Sequence, residues 1–390
     1  MSTLIQEVKN NNPEIKAAKL RWEASRARVP QAKSPDDPVI GFTFEKAKGS
    51  PFQLKKTMPE DRMLSFSQMI PWFGRLPLKG KIALVESQMI AADYKNKELE
   101  VINELKNTYF DLFMNYKEIE LNKQSLIFLE NIAKVSEAKY IVNEVSQEEL
   151  FKINLEIAKL NNTIINLRES LKSKETKINS LLNKDPEAPL MMPTLNEDIS
   201  FDKNVDFLYE LTLLNNPELA IFSYAIEKNK YEKSLAKKSF FPDLMAGIVM
   251  RGLASGGAIG PWDLMLAITV PLWFWTKQRY QVKEAVANLE EAQVAYEAMK
   301  NKAFSNTKDL YAKIEIAKNK INLYKTSLIP LLESSIQSSL AGFRSGRGDL
   351  MMLLDTQRML IETKMNYYRA IVEYNMNLAD LERQTGVEFQ

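Results

Sequence analysis

The 390-residue sequence contains no cysteine and no histidine. The first absence removes disulfides, thiolate nucleophiles and zinc–thiolate sites. The second removes the commonest general base and the commonest metal ligand, so most hydrolase and transferase chemistries lack their usual parts. No isolated Asp/Glu pair stands apart from the charged helix faces. Catalysis is therefore not expected, and neither is a cofactor or a resident metal site. Long hydrophobic runs are also missing. The most apolar stretch, Leu264 to Trp275, is broken by Pro271 and falls short of the ~20 residues that a spanning helix needs, yet it reaches the ~9–11 of a spanning strand. Met1 to Asn12 has no apolar segment of secretory type, so export implies a mature or trimmed chain, with a lipidated Cys ahead of Met1 left open. Charge of one sign is not in excess: 52 Lys and Arg face 50 Asp and Glu, which leaves no footprint for nucleic acid. The locally basic stretch Lys16 to Lys33 reads as a solvated helix face.

What is present is enough for a large ordered structure, with 45% hydrophobic and 26% charged residues. The main organising feature is a duplication. Asn12-Pro13-Glu14 recurs as Asn216-Pro217-Glu218 and Pro38 as Pro242, both displaced by 204 (217 − 13, 242 − 38). Ile70-Pro71-Trp72-Phe73 is answered by Val270-Pro271-Leu272-Trp273-Phe274 at 200, and Ala138-Lys139-Tyr140 by Ala341-Gly342-Phe343 at 203. Repeat one is expected over 1–195 and repeat two over 196–390. Each runs helix, β-hairpin (about 38–71 and 242–271), then a coiled-coil hairpin (about 81–182 and 282–384). Lys184 to Val205, with Pro186, Pro189 and Pro193, is the connector. Pro330 predicts a kink inside a repeat-two helix, where repeat one has Ile127.

Strand periodicity is clear in Val39 to Lys46, where Ile40, Phe42 and Phe44 alternate with small or polar residues. Leu64, Phe66 and Ile70 continue that face, interrupted by Gln68. Repeat two supplies Leu244, Ala246, Ile248 and Met250, then Leu264, Leu266, Ile268 and Val270. Such a face suits either a protein core or lipid opposite an aqueous lumen, and alternation alone does not choose. Trp72, Phe73, Trp262, Trp273, Phe274 and Trp275 fall where an interfacial aromatic girdle would lie, although a core would also accept them. Four strands cannot close a barrel, and a bilayer does not tolerate open edges. Two chains would make a barrel filled by its own side chains, so three are the smallest number that leaves a channel.

Lys81 to Lys139 and Val282 to Leu340 are glycine-free and rich in helix formers, about 60 residues or roughly 90 Å of helix each. Return helices follow at Gln147 to Leu182 and Leu350 to Gln384. Ala285, Leu289, Ala292, Tyr296, Met299 and Ala303 give a packing seam at three- and four-residue spacing.

This order of elements, the Asn-Pro-Glu starts and the segment Phe343-Arg344-Ser345-Gly346-Arg347-Gly348-Asp349-Leu350-Met351-Met352-Leu353-Leu354-Asp355 resemble the TolC-like outer-membrane efflux family over essentially the whole chain. The resemblance implies a mainly α fold in which duplicated helical hairpins form an α-barrel in the periplasm. It further implies that three chains share a twelve-stranded β-barrel in outer-membrane lipid. The partners it implies are two further copies of the chain, a periplasmic adaptor and an inner-membrane pump of the RND type. Docking of the adaptor falls on Val142, Asn143 and Glu144 and on Ser345, Gly346 and Arg347. The family's periplasmic gate maps onto Asp355 as one carboxylate ring, Met352 where a second carboxylate would be, Phe343 in place of a linking Tyr, and Glu149 for a linking Asp, with Arg347 as its partner. Gln68-Met69-Ile70-Pro71-Trp72-Phe73-Gly74-Arg75 is similar to the branch paired with heavy-metal pumps, and a drug-efflux or protein-secretion duct is the alternative within the class. The seventeen Met residues are expected to fill core rather than bind metal. The rivals are a soluble coiled-coil scaffold and, lower, the adaptor itself, which would carry one hairpin between Gly-rich domains. Arg347-Gly348-Asp349 and Gly252 to Gly257 fit turns and lack the strand-to-helix setting of a phosphate loop.

Overall fold

The computed structural model describes residues 1–44, 62–195, 201–252 and 261–389. Glu45 and Lys46 of the expected first strand, and residues 253–257 of the Gly-containing pattern, lie outside them. One order of elements occurs twice. The first pass is α1 (Ser2–Asn11), α2 (Pro13–Lys33), β1 (Val39–Phe44), β2 (Arg62–Ile70), α3 (Arg75–Ile141) and α4 (Gln147–Leu181). The second is α5 (Val205–Asn215), α6 (Pro217–Lys238), β3 (Asp243–Arg251), β4 (Trp262–Thr269), α7 (Lys277–Leu323), a π-helical turn (Tyr324–Leu328), α8 (Ile329–Arg344) and α9 (Leu350–Thr385).

The Asn-Pro-Glu triplets have a mechanical explanation. Asn12 ends α1 in an extended conformation and Pro13 opens α2, where its missing N–H would have had no partner. The Asn12 side chain accepts from the N–H groups of Glu14 and Ile15, capping α2, and donates to the Leu181 carbonyl 2.9 Å away at the end of α4. Asn216 repeats the long-range bond, donating to the Gln384 carbonyl at 2.7 Å. Asn183 and Gly386, which follow these return helices, are both left-handed and 203 residues apart (386 − 183). Duplication therefore extends to backbone geometry.

The long helix of repeat two is not continuous. Pro330 has no N–H to give to Thr326 and its ring crowds that carbonyl. The strain is taken up immediately upstream, where the Ile329 N–H reaches back five residues to the Tyr324 carbonyl. With Ile127 at the equivalent place, α3 remains one helix over 67 residues.

The described chain forms two compact units that do not follow the repeats. The first takes residues 1–17, 95–217 and 300–390, the second 18–94 and 218–299, so each draws on both halves. In the first unit, Leu208, Ile314, Ala317, Ile371 and Leu381 join α5, α7 and α9 in one core. A second core ties the ends of four helices together: Ile132 from α3, Ile153 from α4, Ile336 from α8, and Leu350, Leu353 and Leu360 from α9. The three- and seven-residue spacing within α9 keeps those leucines on one face, and each fully buried one contributes roughly 1.5–3 kcal/mol. The second unit holds an antiparallel sheet of order β1-β2-β3-β4, with β1 and β4 as its edges. No described helix is long and apolar enough to cross a membrane.

Candidate lipid face, gate and docking tips

The sheet register assembles the even-numbered apolar residues into one surface. Ile40, Phe66, Ile248 and Leu264 form one row across the four strands, and Phe42, Leu64, Met250 and Trp262 the next. Gln68, Ala246 and Leu266 form a third, and Ile70, Leu244 and Ile268 a fourth. Direct pairing puts partners on the same side of the sheet. In the single chain this face is the more exposed on the central strands, with Phe66 47% and Ile248 40% exposed, whereas on the other face Gly247 is buried and Met63 is 6% exposed; the edge strands are open on both faces. A contiguous exposed apolar patch of this kind marks a surface that lipid or another protein surface covers.

Aromatic residues mark both ends of the sheet. Trp262 opens β4 at one end, while Trp72, Phe73, Trp273, Phe274 and Trp275 follow β2 and β4 at the other. Trp72 stacks on Phe241 with ring centroids 5.3 Å apart, and Trp275 packs edge-on against both Trp273 and Phe274. Asp243 organises this end, pairing with Arg75 and accepting the Trp72 N–H at 2.9 Å. Arg75 in turn donates to the Lys238 carbonyl. Gly74, with φ of 83°, makes the turn from Trp72-Phe73 into α3 possible.

In the first unit, the two hairpin tips share a design. Asn143 and Gly346 are the left-handed residues of their turns, 203 apart (346 − 143). Asn serves where the second tip has Gly because its short polar side chain tolerates that conformation. Ser146 caps α4 and Asp349 caps α9 at the same spacing (349 − 146). Val142, Asn143, Glu144, Ser345, Gly346 and Arg347 are all exposed.

The gate candidates divide. Asp355 is exposed and pairs with Arg358 one turn on at 2.6 Å, beside an open groove of about 500 Å³ along α4 and α9. Met352 is 63% exposed on the same stripe of α9. Glu149 serves the capping box of α4, its carboxylate accepting the Ser146 N–H at 2.7 Å. Among the described residues no ion pair joins Glu149 to Arg347 within the chain. Phe343 is 3% exposed and packs into the four-helix core, so it holds the tip from inside rather than reaching outward.

Sequence reasoning missed Lys139. Its Nζ donates to Glu144 of the first tip at 2.7 Å and lies 5.5 Å from the centre of the Phe343 ring of the second, beside Gly346. One side chain thus fastens the two tips. The available signal was an asymmetry, since the repeat-two counterpart of Lys139 is Gly342.

A family model of outer membrane efflux proteins matches residues 4–184 and again residues 208–387. The chain belongs to the outer membrane efflux protein family. An outer-membrane location and an efflux role follow from that membership. The chain is 20% identical over 401 residues to the probable outer membrane lipoprotein SilC of Salmonella typhimurium, covering 96% of this chain and 84% of SilC. Among solved structures it superimposes on CusC, described as forming a transmembrane channel, with a TM-score of 0.85 at 17% identity over 99% of this chain and 92% of that one. The outer membrane protein VceC of Vibrio cholerae gives 0.82 at 16% identity, covering 100% and 96%. At these identities the structural likeness establishes the fold: helical hairpins joined to a sheet that contributes to a β-barrel.

Proposed function

We propose that three copies of this efflux protein close a twelve-stranded barrel and that their helical hairpins wall a periplasmic tunnel. Such a duct passively conducts what a pump delivers. The observation that carries this reading is the four-stranded sheet with an exposed apolar face, which suits lipid, and two open edges, which a bilayer does not tolerate until they find partners. Two chains would give a barrel filled by its own side chains, whereas three leave a lumen. Val142 to Glu144 and Ser345 to Arg347 receive a periplasmic adaptor, and an inner-membrane pump of the RND type supplies the energy, so the chain itself is no enzyme. Asp355 and Met352 line the narrow end. Soft metal ions are the cargo, a reading supported by the likeness of Gln68–Arg75 to the heavy-metal branch.

The test is extraction from outer membranes in detergent, determination of oligomeric state, and conductance in planar bilayers. A trimer with single-channel currents is the expected result. A soluble monomer without conductance would favour a coiled-coil scaffold and overturn the reading.

A further inference from the structure

The odd-numbered face of the sheet carries an unusual residue type for a surface that would meet water. Its other members are mostly small or polar, among them Thr43, Ser65, Ser67 and Asp263, as a lumen requires. Methionine nevertheless holds four of its positions, Met63, Met69, Met245 and Met265, against Met250 alone on the even face. Three of the four converge. Met69 and Met245 are direct cross-strand partners. Met245 pairs with Ala267 and Gly247 with Met265, which makes Met265 the diagonal neighbour of Met245. Direct partners have Cβ atoms about 5 Å apart and diagonal ones about 7–8 Å, both within reach of thioether side chains.

Gly247 makes room for the Met265 side chain within this group. A Cβ there would stand 3.2 Å from Cε of Met265, so the Met265 side chain lies over the glycine, its direct cross-strand partner and the residue two positions from Met245. Core filling does not account for the trio, since Met69 is 37% and Met265 36% exposed. The two carboxylates nearest along the strands on this face are both committed, Asp243 to Arg75 and the Trp72 N–H and Asp263 to Arg251, which leaves a neutral, sulfur-only donor set. Thioethers are soft, weakly basic ligands that select monovalent d¹⁰ cations over Mg²⁺, Ca²⁺ or Zn²⁺. The trio also sits at the end of the sheet where the chain passes into α3.

We infer that Met69, Met245 and Met265 form a thioether site for a soft monovalent cation, Cu(I) or Ag(I), on the inner face of the barrel where cargo leaves the helical tunnel. The inference rests on the duct reading only for which face is inner; the donor set stands by itself. A three-thioether site without a charged ligand holds its ion loosely enough to let it pass, as a transit site must.

The test titrates the intact detergent-purified protein with Ag(I) alone and reads sulfur coordination by X-ray absorption. One Ag(I) per chain with a sulfur-only first shell is expected. The near-isosteric Met69→Leu/Met245→Leu/Met265→Leu protein should bind on the order of tenfold more weakly or worse, because losing the sulfurs that touch the ion costs no less than losing the groups that orient them. Met191→Leu/Met192→Leu, at two exposed connector residues, should bind as the parent does. Equal silver binding by the triple variant, or an oxygen and nitrogen shell, overturns the site. Conductance of the triple variant separates the two hypotheses: unchanged currents with lost silver binding support the site within a working duct, whereas absent currents in the parent count against the duct and leave the binding result standing.

Discussion

Replacing Lys139 with Met keeps the aliphatic stem against the four-helix core and removes the charge that fastens the two tips. Two interactions are lost. The ion pair with Glu144 joins a Lys side chain only 14% exposed to a carboxylate 56% exposed, so solvent screening limits it to about 0.5–1 kcal/mol. The contact over the Phe343 ring adds about 0.5–1 kcal/mol. Since both act through one group they need not add fully, so their sum of about 1–2 kcal/mol is the most tip stability at stake, a factor of at most roughly 5–30 in the opening equilibrium. The assay is hydrogen exchange of tip peptides. The N–H groups of Arg347 and Gly348 both donate to the Gly342 carbonyl, so their exchange reports opening of the second tip. Faster exchange by that factor is expected over 342–350, with the middle of α9 unchanged. Acceleration confined to the first tip would show that Lys139 serves Glu144 alone and would refute the coupling.

Asp355→Ala should weaken block of the pore by divalent cations, and Arg358→Ala should strengthen it, because Arg358 offsets part of the ring charge; bilayer recordings in which the two variants move in the same direction would contradict the assignment. Asn12→Ala removes both the cap of α2 and the bond to Leu181, at a cost of about 2–3 kcal/mol measurable as a lower unfolding midpoint. Asn216→Ala should resemble it through the bond to Gln384. Burial pushes the Glu382 carboxyl above its ordinary range, more than Lys106 lowers it. A raised carboxyl means the folded state holds the proton more tightly, so this group's stabilising contribution is complete below the unfolded pKa and is lost as pH rises through the folded one. Wild type should therefore lose stability relative to Glu382→Gln as pH climbs from the ordinary Glu range toward neutrality; a pH-independent difference in denaturation free energy would be the contrary result.

Features with a short period were legible in the sequence. The alternation in Ile40, Phe42 and Phe44 identified a strand face because side chains in a strand repeat every second residue whatever they pack against. Glycine-free runs marked the long helices, and Pro330 marked the discontinuity, although not that it would be a wide turn upstream of the proline. What stayed hidden depends on pairs distant in the chain. Lys139 meets Phe343 across the two tips, and Phe343 turns inward because the ends of α3, α4, α8 and α9 meet there. The methionine trio is invisible until the register aligns Met69 with Met245 and brings Met265 to their diagonal. Likewise, no composition shift at the connector indicated that each compact unit would mix the two repeats.

The pairing of β2 with β3 joins one repeat to the other, and it does so through Phe66–Ile248, Gln68–Ala246 and Ile70–Leu244. Displacing the first partners by 200 and moving the second back by 204, the offsets of the duplication itself, yields Leu266–Phe44, Ile268–Phe42 and Val270–Ile40. These residues belong to β4 or its end and to β1, the two free edges. In the proposed trimer, each protein would thus carry within it the template for the seam to its neighbour, with the same apolar side kept in line across the junction. Self-recognition then needs no dedicated surface. On that proposal, a chain that has folded its own second junction correctly would already have specified the register of the one it makes with another copy.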